Sequence, residues 1–489
     1  MEPKRLAPLS EEFANIQLGD ARLNKRAKII VDILASLPSA NFPGQVKAHA
    51  DLEAIYRFVN NKKVLPEAVL DPHVQCTVKR AEAHERVLVI ADTSEFKFKG
   101  ELHRDGLGWT HKKTKDEGFL GHYSIVTTVE GEPLGTIGLY VWIREGKAKG
   151  HRAQQDSQYD PDKESLRWQE SALLAGEQLF GKTWPIHVMD REGDNIELLA
   201  MLLEHDQDFV IRLSHNRRLC AGRKAQQEKL FEALSTAPFF FEREVVLTNQ
   251  KTAKKPGKSK KRIKGTGKPR SRLANLEVRA ERMEIFPGNG SVSHLPKSLT
   301  LNFVEVREVN PPEDDDPVLW RLVTTEPIDT EEQVAEVVDI YRKRWIIEEF
   351  FKALKTGCNY QKRQLETADA LLVDLALESA VAWRMLHLRW LSRNEPDAPA
   401  SRALSQTQLM ALSALSKARK RKLSENLSSA EALLAVAALG GHIKYNGPPG
   451  WLVLRRGFEA LNVAEEAIIA VLEQMHGGEL DLSELNAHP

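Results

Sequence analysis

Three acids in this chain, Asp92, Asp190 and Glu348, stand where oxygen ligands could converge. Asp92 closes the apolar run Val87–Ala91 in RVLVIADTSEF, and Asp190 closes WPIHVM in TWPIHVMDREGDN. Both runs are short and continuous, as buried strands are. In open α/β sheets, ligands gather at the carboxyl ends of such strands. Either aspartate alone could be a capping or structural group, and nearby Asp194 competes with Asp190. Glu348 lies within YRKRWIIEEFFKALK, Tyr341–Lys355. Wound into a helix, this segment gives a buried stripe of Ile346, Ile347, Phe350, Phe351 and Leu354. Tyr341, Arg344, Glu348, Lys352 and Lys355 share a second arc of roughly 80°. Three carboxylates without His or Cys suit hard Mg²⁺ or Mn²⁺. Two such ions about 3.5–4 Å apart activate an attacking oxygen and stabilise a leaving one in phosphoryl transfer. Arg344 and Lys355 would neutralise neighbouring phosphates, the first as a planar fork and the second as a point charge.

The elements that must position these groups can be read in outline. At 489 residues the chain exceeds one ordinary core, so two or three domains are expected. KRAKIIVDILASL and DLEAIYRFVNN carry helical periodicity, marking a helical domain over residues 1–70. GHYSIVTTV and EPLGTIGLYVWI read as antiparallel strands, and Glu164–Phe180 as a helix. Sequence from about 208 to 330 is β-rich, and a helix capped by Asp329 or Thr330 follows. EPDAPASRA, after about 395, reads as a linker to a helical C-terminal domain.

Charge and cysteine usage narrow the class. The 69 basic and 69 acidic residues cancel, so only local charge informs on partners. Lys251–Arg272 holds 11 basic residues and no acid, and KARKRK forms a second cluster at Lys417–Lys422. Each reads either as a solvated loop or as an arm for phosphates. Arg22, Lys25, Arg26 and Lys28 on the first helix are either a solvated face or a helix docked on DNA. Cys76, Cys220 and Cys358 form no CxxC pair, which excludes a zinc ribbon and fits a reducing cytosol. No apolar stretch has the character of a secretory signal or membrane span, so a cytoplasmic protein with no membrane partner is expected.

Tyr341, Arg344, Glu348 and Lys355 match the signature Y-x2-R-x3-E-x6-K. On that signature, with IADTS and MDREGD, the chain resembles the YREK group of bacterial insertion-sequence transposases. This group is the insertion sequence four family of the DDE superfamily. The resemblance extends from LGDARL through LEAIYRFVNN and KESLRW to PGWLVLRRGFEAL, nearly the whole chain. It implies an α/β fold in which an RNase H-like catalytic domain, residues 71–395, carries a β-rich insertion at about 220–325. Helical domains would flank it: 1–70 for recognising DNA ends and 396–489 for dimerisation.

The resemblance further implies that Asp92, Asp190 and Glu348 are catalytic and hold two Mg²⁺ ions per active site, with Mn²⁺ as a substitute. Tyr341, Arg344 and Lys355 would contact the phosphate backbone, with Lys352 assisting. Trp320, 21 residues before Tyr341, matches an aromatic on which the family stacks a flipped base; otherwise it is a core Trp. Arg212 in FVIRLS matches a DNA-contacting arginine. Asp194 and Glu349 are read as supporting or surface acids. The implied partners are double-stranded DNA, both the inverted repeats at the ends and the target, and a second copy of the chain in a synaptic homodimer. Rival readings are an RNase H-like structure-specific nuclease, an inactive transposase-derived DNA-binding protein and, more distantly, a hydrolase using Asp92 as nucleophile.

Overall fold

The computed structural model describes residues 9–476 apart from 39, 47, 100–102, 111–115, 145–165, 221–227, 248–271, 288–294, 313–315 and 444–446. The lysine-rich run, apart from Arg272, therefore lies outside the described residues. The chain opens with helices α1 (Ala21–Ser36), α2 (Phe42–Gln45), α3 (His49–Val59) and α4 (Pro66–Ala81). Asp20 caps α1, and Ala27, Ile30, Val31 and Leu34 bury its inner face at helical spacing. Pro66 starts α4, where its missing N–H costs nothing. The domain boundary expected at residue 70 falls inside α4, which packs against a strand of the sheet that follows and a later central helix.

A single ten-stranded sheet follows. Its first members are β1 (Arg86–Phe98), β2 (Gly108–Trp109), β3 (Glu117–Thr128) and β4 (Pro133–Trp142). Then come α5 (Leu166–Leu179), β5 (Trp184–Met189), α6 (Ile196–Glu204) and β6 (Asp208–Arg212). β4, β3 and β1 are antiparallel neighbours, and β1, β5 and β6 run parallel. This mixed five-strand order is the RNase H-like core. The β-rich block comprises α7 (Leu230–Thr236), β7 (Phe239–Leu247), β8 (Arg272–Ile285), β9 (Leu299–Val309) and β10 (Leu319–Thr324). It forms no separate layer. β10 pairs with β6, and β9, β8 and β7 widen the same sheet in turn.

One expectation needs correcting. β1 does not end at Asp92 but continues to Phe98, because Phe96 and Phe98 are buried at the strand period around half-buried Lys97. Asp92 pairs with Tyr123 of β3, whereas the parallel register with β5 stops at Ile90–Val188. The acid thus lies mid-strand, just beyond the point where β5 falls away. Asp190 follows β5 immediately, as read from the sequence.

Alternation sorts the sheet residues between two cores. Phe209, Ile211 and Val323 join the α5–α6 side, while Val210, Leu322 and Val304 face the opposite layer. That layer holds α8 (Glu331–Lys343), α9 (Trp345–Lys352), a π-helical turn at Ala353–Gly357 and α10 (Ala368–Asn394). Thr330 caps α8 through a capping box with Gln333. Helices α11 (Gln406–Ala418), α12 (Ser429–Leu439) and α13 (Trp451–His476) close a third core around Leu412, Val436 and Leu461. The KARKRK cluster is exposed where α11 ends. α13 also reaches back to the N-terminal helices, as Asn462 donates to the Ala35 carbonyl at 3.3 Å. Among the described residues no helix is long and apolar enough to cross a membrane.

α10 carries a buried ionic triad. Arg363 forms an ion pair with Asp374 at 3.0 Å and donates to Glu378 and to the carbonyl of Ala40 beside the N-terminal helices. All three side chains are essentially inaccessible. Burial drives both carboxyls up against the pull of Arg363. Arg363→Met should therefore lower stability by about 3–5 kcal/mol, the usual consequence of orphaning buried charge. In urea unfolding the midpoint should fall at pH 7 and partly recover near pH 5, where the orphaned acids take up protons. A midpoint unchanged at both pH values would show that the triad contributes nothing to the fold.

Candidate active site

Asp92 and Glu348 are joined by one guanidinium. Arg344 donates from Nη1 to Asp92 Oδ2 at 3.0 Å and from Nη2 to Glu348 Oε1 at 2.8 Å. Arg344 is the junction between α8 and α9, and Glu348 follows one turn later. Asp92 is only 18% exposed. Burial first, then the charge of Asp190, raises its carboxyl to about 6, against the pull of Arg344. Asp190 accepts the Glu192 amide at 2.8 Å, which turns the chain into a 3-10 turn just after β5. The sheet and α9 therefore bring the three sequence-read acids into one electrostatic neighbourhood.

The helical arc read from the sequence is reshaped at both ends. Regular α-helix breaks at Arg344, and beyond Lys352 the backbone widens into the π turn, with Cys358 donating to Ala353 O at 2.7 Å. Such turns interrupt the helical register. Lys355 is redirected to β1, where its Nζ meets Ser94 Oγ at 2.6 Å and lies 5.0 Å from the Phe96 ring centroid. Burial pushes its ammonium down to about 8. Lys352, expected on the same arc, instead pairs with Glu349 at 2.8 Å and lies over Trp345. Glu349 is no surface acid. It also accepts from Trp451 of α13 at 3.0 Å and pairs with Arg389 of α10 at 3.2 Å. Burial raises the Glu349 carboxyl, but Lys352 and Arg389 hold it below its ordinary value.

Tyr341 is buried on α8 and edges onto Trp320 of β10, ring centroids 5.4 Å apart. Burial raises its hydroxyl above the ordinary range, although Arg344 and Arg212 pull the other way. Arg212, at the end of β6, donates to Leu319 O at 2.9 Å. Trp320 is half-buried and packs against the core beneath α8. Arg212 also lines a cleft of about 230 Å³ with Arg191, Ser214, Phe231 and Arg321. Sequence reasoning missed this cationic cleft, although Arg191 directly follows Asp190. Exposed Trp345, beside Arg344, was also passed over. Asp194 is fully buried and accepts the His215 amide at 2.8 Å. That contact pins the loop after β6 to the Asp190 turn. On α1, Arg22 folds back onto its own cap Asp20 at 2.9 Å, Arg26 stands 3.9 Å from Asp51, and Lys25 is exposed.

The donor atoms around Arg344 are carboxylate oxygens, chemistry that suits a hard divalent ion. Among the described residues no three acidic, His or Cys side chains approach closely enough to ligate one ion. With Arg344 in place, its guanidinium supplies the positive charge between Asp92 and Glu348.

Comparison with known families fits this layout. Residues 7–64 match the family described as transposase DNA-binding, and residues 170–383 the family described as transposase DDE domain. The second match spans Asp190, Arg212, Trp320, Tyr341, Arg344, Glu348 and Lys355, while Asp92 precedes it. Together the matches support a DDE-superfamily transposase with DNA as its partner, a DNA-cleaving enzyme of a class that generally uses divalent metal ions.

The Asp92 carboxyl has a testable cost. In the unfolded chain it titrates near 3.9 and in the fold near 6, so folding favours its protonated form. Its contribution favours the fold at low pH and is lost as pH rises through about 6. Held ionised at pH 8, it costs the metal-free protein roughly 2–3 kcal/mol. Asp92→Asn should raise the melting temperature in EDTA by a few degrees at pH 8 and by only about a third as much at pH 4.5, where the folded carboxyl is already protonated. Equal shifts at both pH values would show that Asp92 is not the strained group.

Proposed function

We propose that this chain, which joins a transposase DNA-binding segment to a transposase DDE domain, is a YREK-group transposase that moves its element by cut-and-paste transposition. The observation that carries the reading is the Arg344 bridge between Asp92 and Glu348, with Lys355 anchored two residues along β1 from Asp92. These contacts support reading Arg344, Glu348 and Lys355 of the signature together with the strand acid as one site.

The chemistry would be four in-line phosphoryl transfers. Water attacks the phosphorus at each element end and expels a 3′-oxygen. The freed 3′-hydroxyl attacks the opposite strand, giving a hairpin and releasing the flank. A second water reopens the hairpin, and the 3′-hydroxyls then attack target DNA. Asp92, Asp190 and Glu348 would hold the metal ions, a pair of Mg²⁺ by this reading, which would polarise the attacking and leaving oxygens. Arg344 pairs with Asp92 and Glu348, and would transfer its fork to a backbone phosphate when the end arrives. Tyr341 and Lys355 would fix the phosphates on either side. Trp320, already an edge partner of Tyr341, offers a ring on which a displaced base can stack, relieving the bend that a hairpin imposes.

The N-terminal helices would read the end sequence, through Lys25 and Arg26 more than Arg22, which is already engaged by Asp20. α13 exposes Val463, Val471 and Met475, a face suited to a second copy. Pairing two copies would place both ends in one synaptic complex.

The decisive assay uses Mg²⁺ and DNA bearing the inverted repeats that flank the gene. Wild-type protein should nick, form hairpins and join ends to target. Glu348→Ala should lose cleavage by at least about a thousandfold, roughly 4 kcal/mol of transition-state stabilisation, with end binding in gel shifts retained. Cleavage at the wild-type rate by Glu348→Ala would falsify the metal-ligand assignment. Cutting without any joining would favour the structure-specific nuclease.

A further inference from the structure

Arg167, in the first turn of α5, is 8% exposed and takes no part in the chemistry above. Its Nε donates to Thr93 Oγ1 at 2.9 Å, and its Nη2 donates to Glu192 Oε2 at 2.6 Å. Those two partners share a property. The amide of Thr93 donates to Asp92 Oδ1 at 2.7 Å, and the amide of Glu192 donates to Asp190 Oδ1 at 2.8 Å. One guanidinium therefore grips the two residues whose backbone N–H groups hold the two aspartates. The Thr93 hydroxyl is fixed further by His122 Nδ1 at 2.9 Å, and the other ring nitrogen of His122 meets Ser171 of α5 at 3.0 Å. The Trp168 ring packs edge-on against His122, 4.5 Å between centroids.

The location explains the need for such a clamp. The parallel pairing of β1 with β5 stops at Ile90–Val188, before either aspartate is reached. Past that point no ladder hydrogen bond between these two strands fixes their separation, which then depends on side chains. Two carboxylates also repel, most strongly where burial excludes water. A fork bound rigidly to both elements opposes that repulsion without neutralising the acids themselves.

We propose that Arg167 is a positioning residue that sets the spacing between Asp92 and Asp190, and so the geometry available to a divalent ion. This rests on the reading of both acids as metal ligands. Among the described residues, Arg167 donates to neither Asp92 nor Asp190. It acts through Thr93 and Glu192.

The test titrates the full-length protein with Mn²⁺, reading bound ion by electron paramagnetic resonance, alongside thermal melts in EDTA and gel shifts on end DNA. Arg167→Ala should weaken Mn²⁺ binding about 10- to 100-fold, the range found when groups that orient metal ligands are removed. End binding should be unchanged. Arg167→Lys, which can reach only one of the two partners, should recover part of the loss. Glu192→Gln is the safeguard against misfolding, because that side chain is 60% exposed. It should weaken Mn²⁺ binding a few-fold at an unchanged melting temperature. The Arg167→Ala/Glu192→Gln double variant should be no worse than Arg167→Ala alone, since both cut one link. Wild-type Mn²⁺ affinity in Arg167→Lys and Glu192→Gln would overturn the proposal, as would a loss of affinity that tracks melting temperature alone. Asp190→Asn separates the two levels. If it too bound Mn²⁺ normally, the metal-ligand reading would fall and take this inference with it.

Discussion

Buried negative charge needs a partner, and here the Arg344 guanidinium supplies it between Asp92 and Glu348. Much of the architecture around it follows from that constraint. The acids arrive on elements with no local reason to meet: the middle of β1, the turn after β5 and the first turn of α9. Without a cation at the centre, Asp92 would be still harder to keep ionised at neutral pH. The arrangement is neutral enough to fold and cationic enough, with Lys355 and the Arg212 cleft nearby, to attract a phosphate backbone. An arginine suits this dual role because its fork fits two carboxylates or one phosphate equally well.

The rest of the fold serves as scaffold. Parallel strands β1, β5 and β6 run side by side with covered faces, and β10 through β7 extend them without a seam. Two helical layers clamp the sheet, and α10 passes through the middle of the molecule with nearly every face buried. Its ionic triad reaches Ala40, so the N-terminal helices are tied to the same central rod. Asp194 performs a comparable task nearer the site, gathering the loop after β6 against the Asp190 turn.

Some of this could be read from the chain alone. The apolar runs before Asp92 and Asp190, and the capping signal at Thr330, announced their elements through periodicity and local hydrogen-bonding chemistry. What stayed hidden depends on partners far away in sequence. That Asp92 lies mid-strand follows from its pairing with β3, which no pattern within RVLVIADTSEF encodes. The π turn after Lys352 is a small change in backbone winding, yet beyond it Lys355 meets β1, whereas Lys352, still in regular helix, pairs with Glu349 one turn back. Arg167 was visible in KESLRW, but its significance appears only when Thr93 and Glu192 are seen on either side of it.

Glu349 adds a mechanical corollary. It neighbours Glu348 on a short rigid helix, and its carboxylate is wired at once to Trp451 at the root of α13 and to Arg389 on α10. The pose of the helix that carries Glu348 is thereby referenced to both α10 and the root of α13.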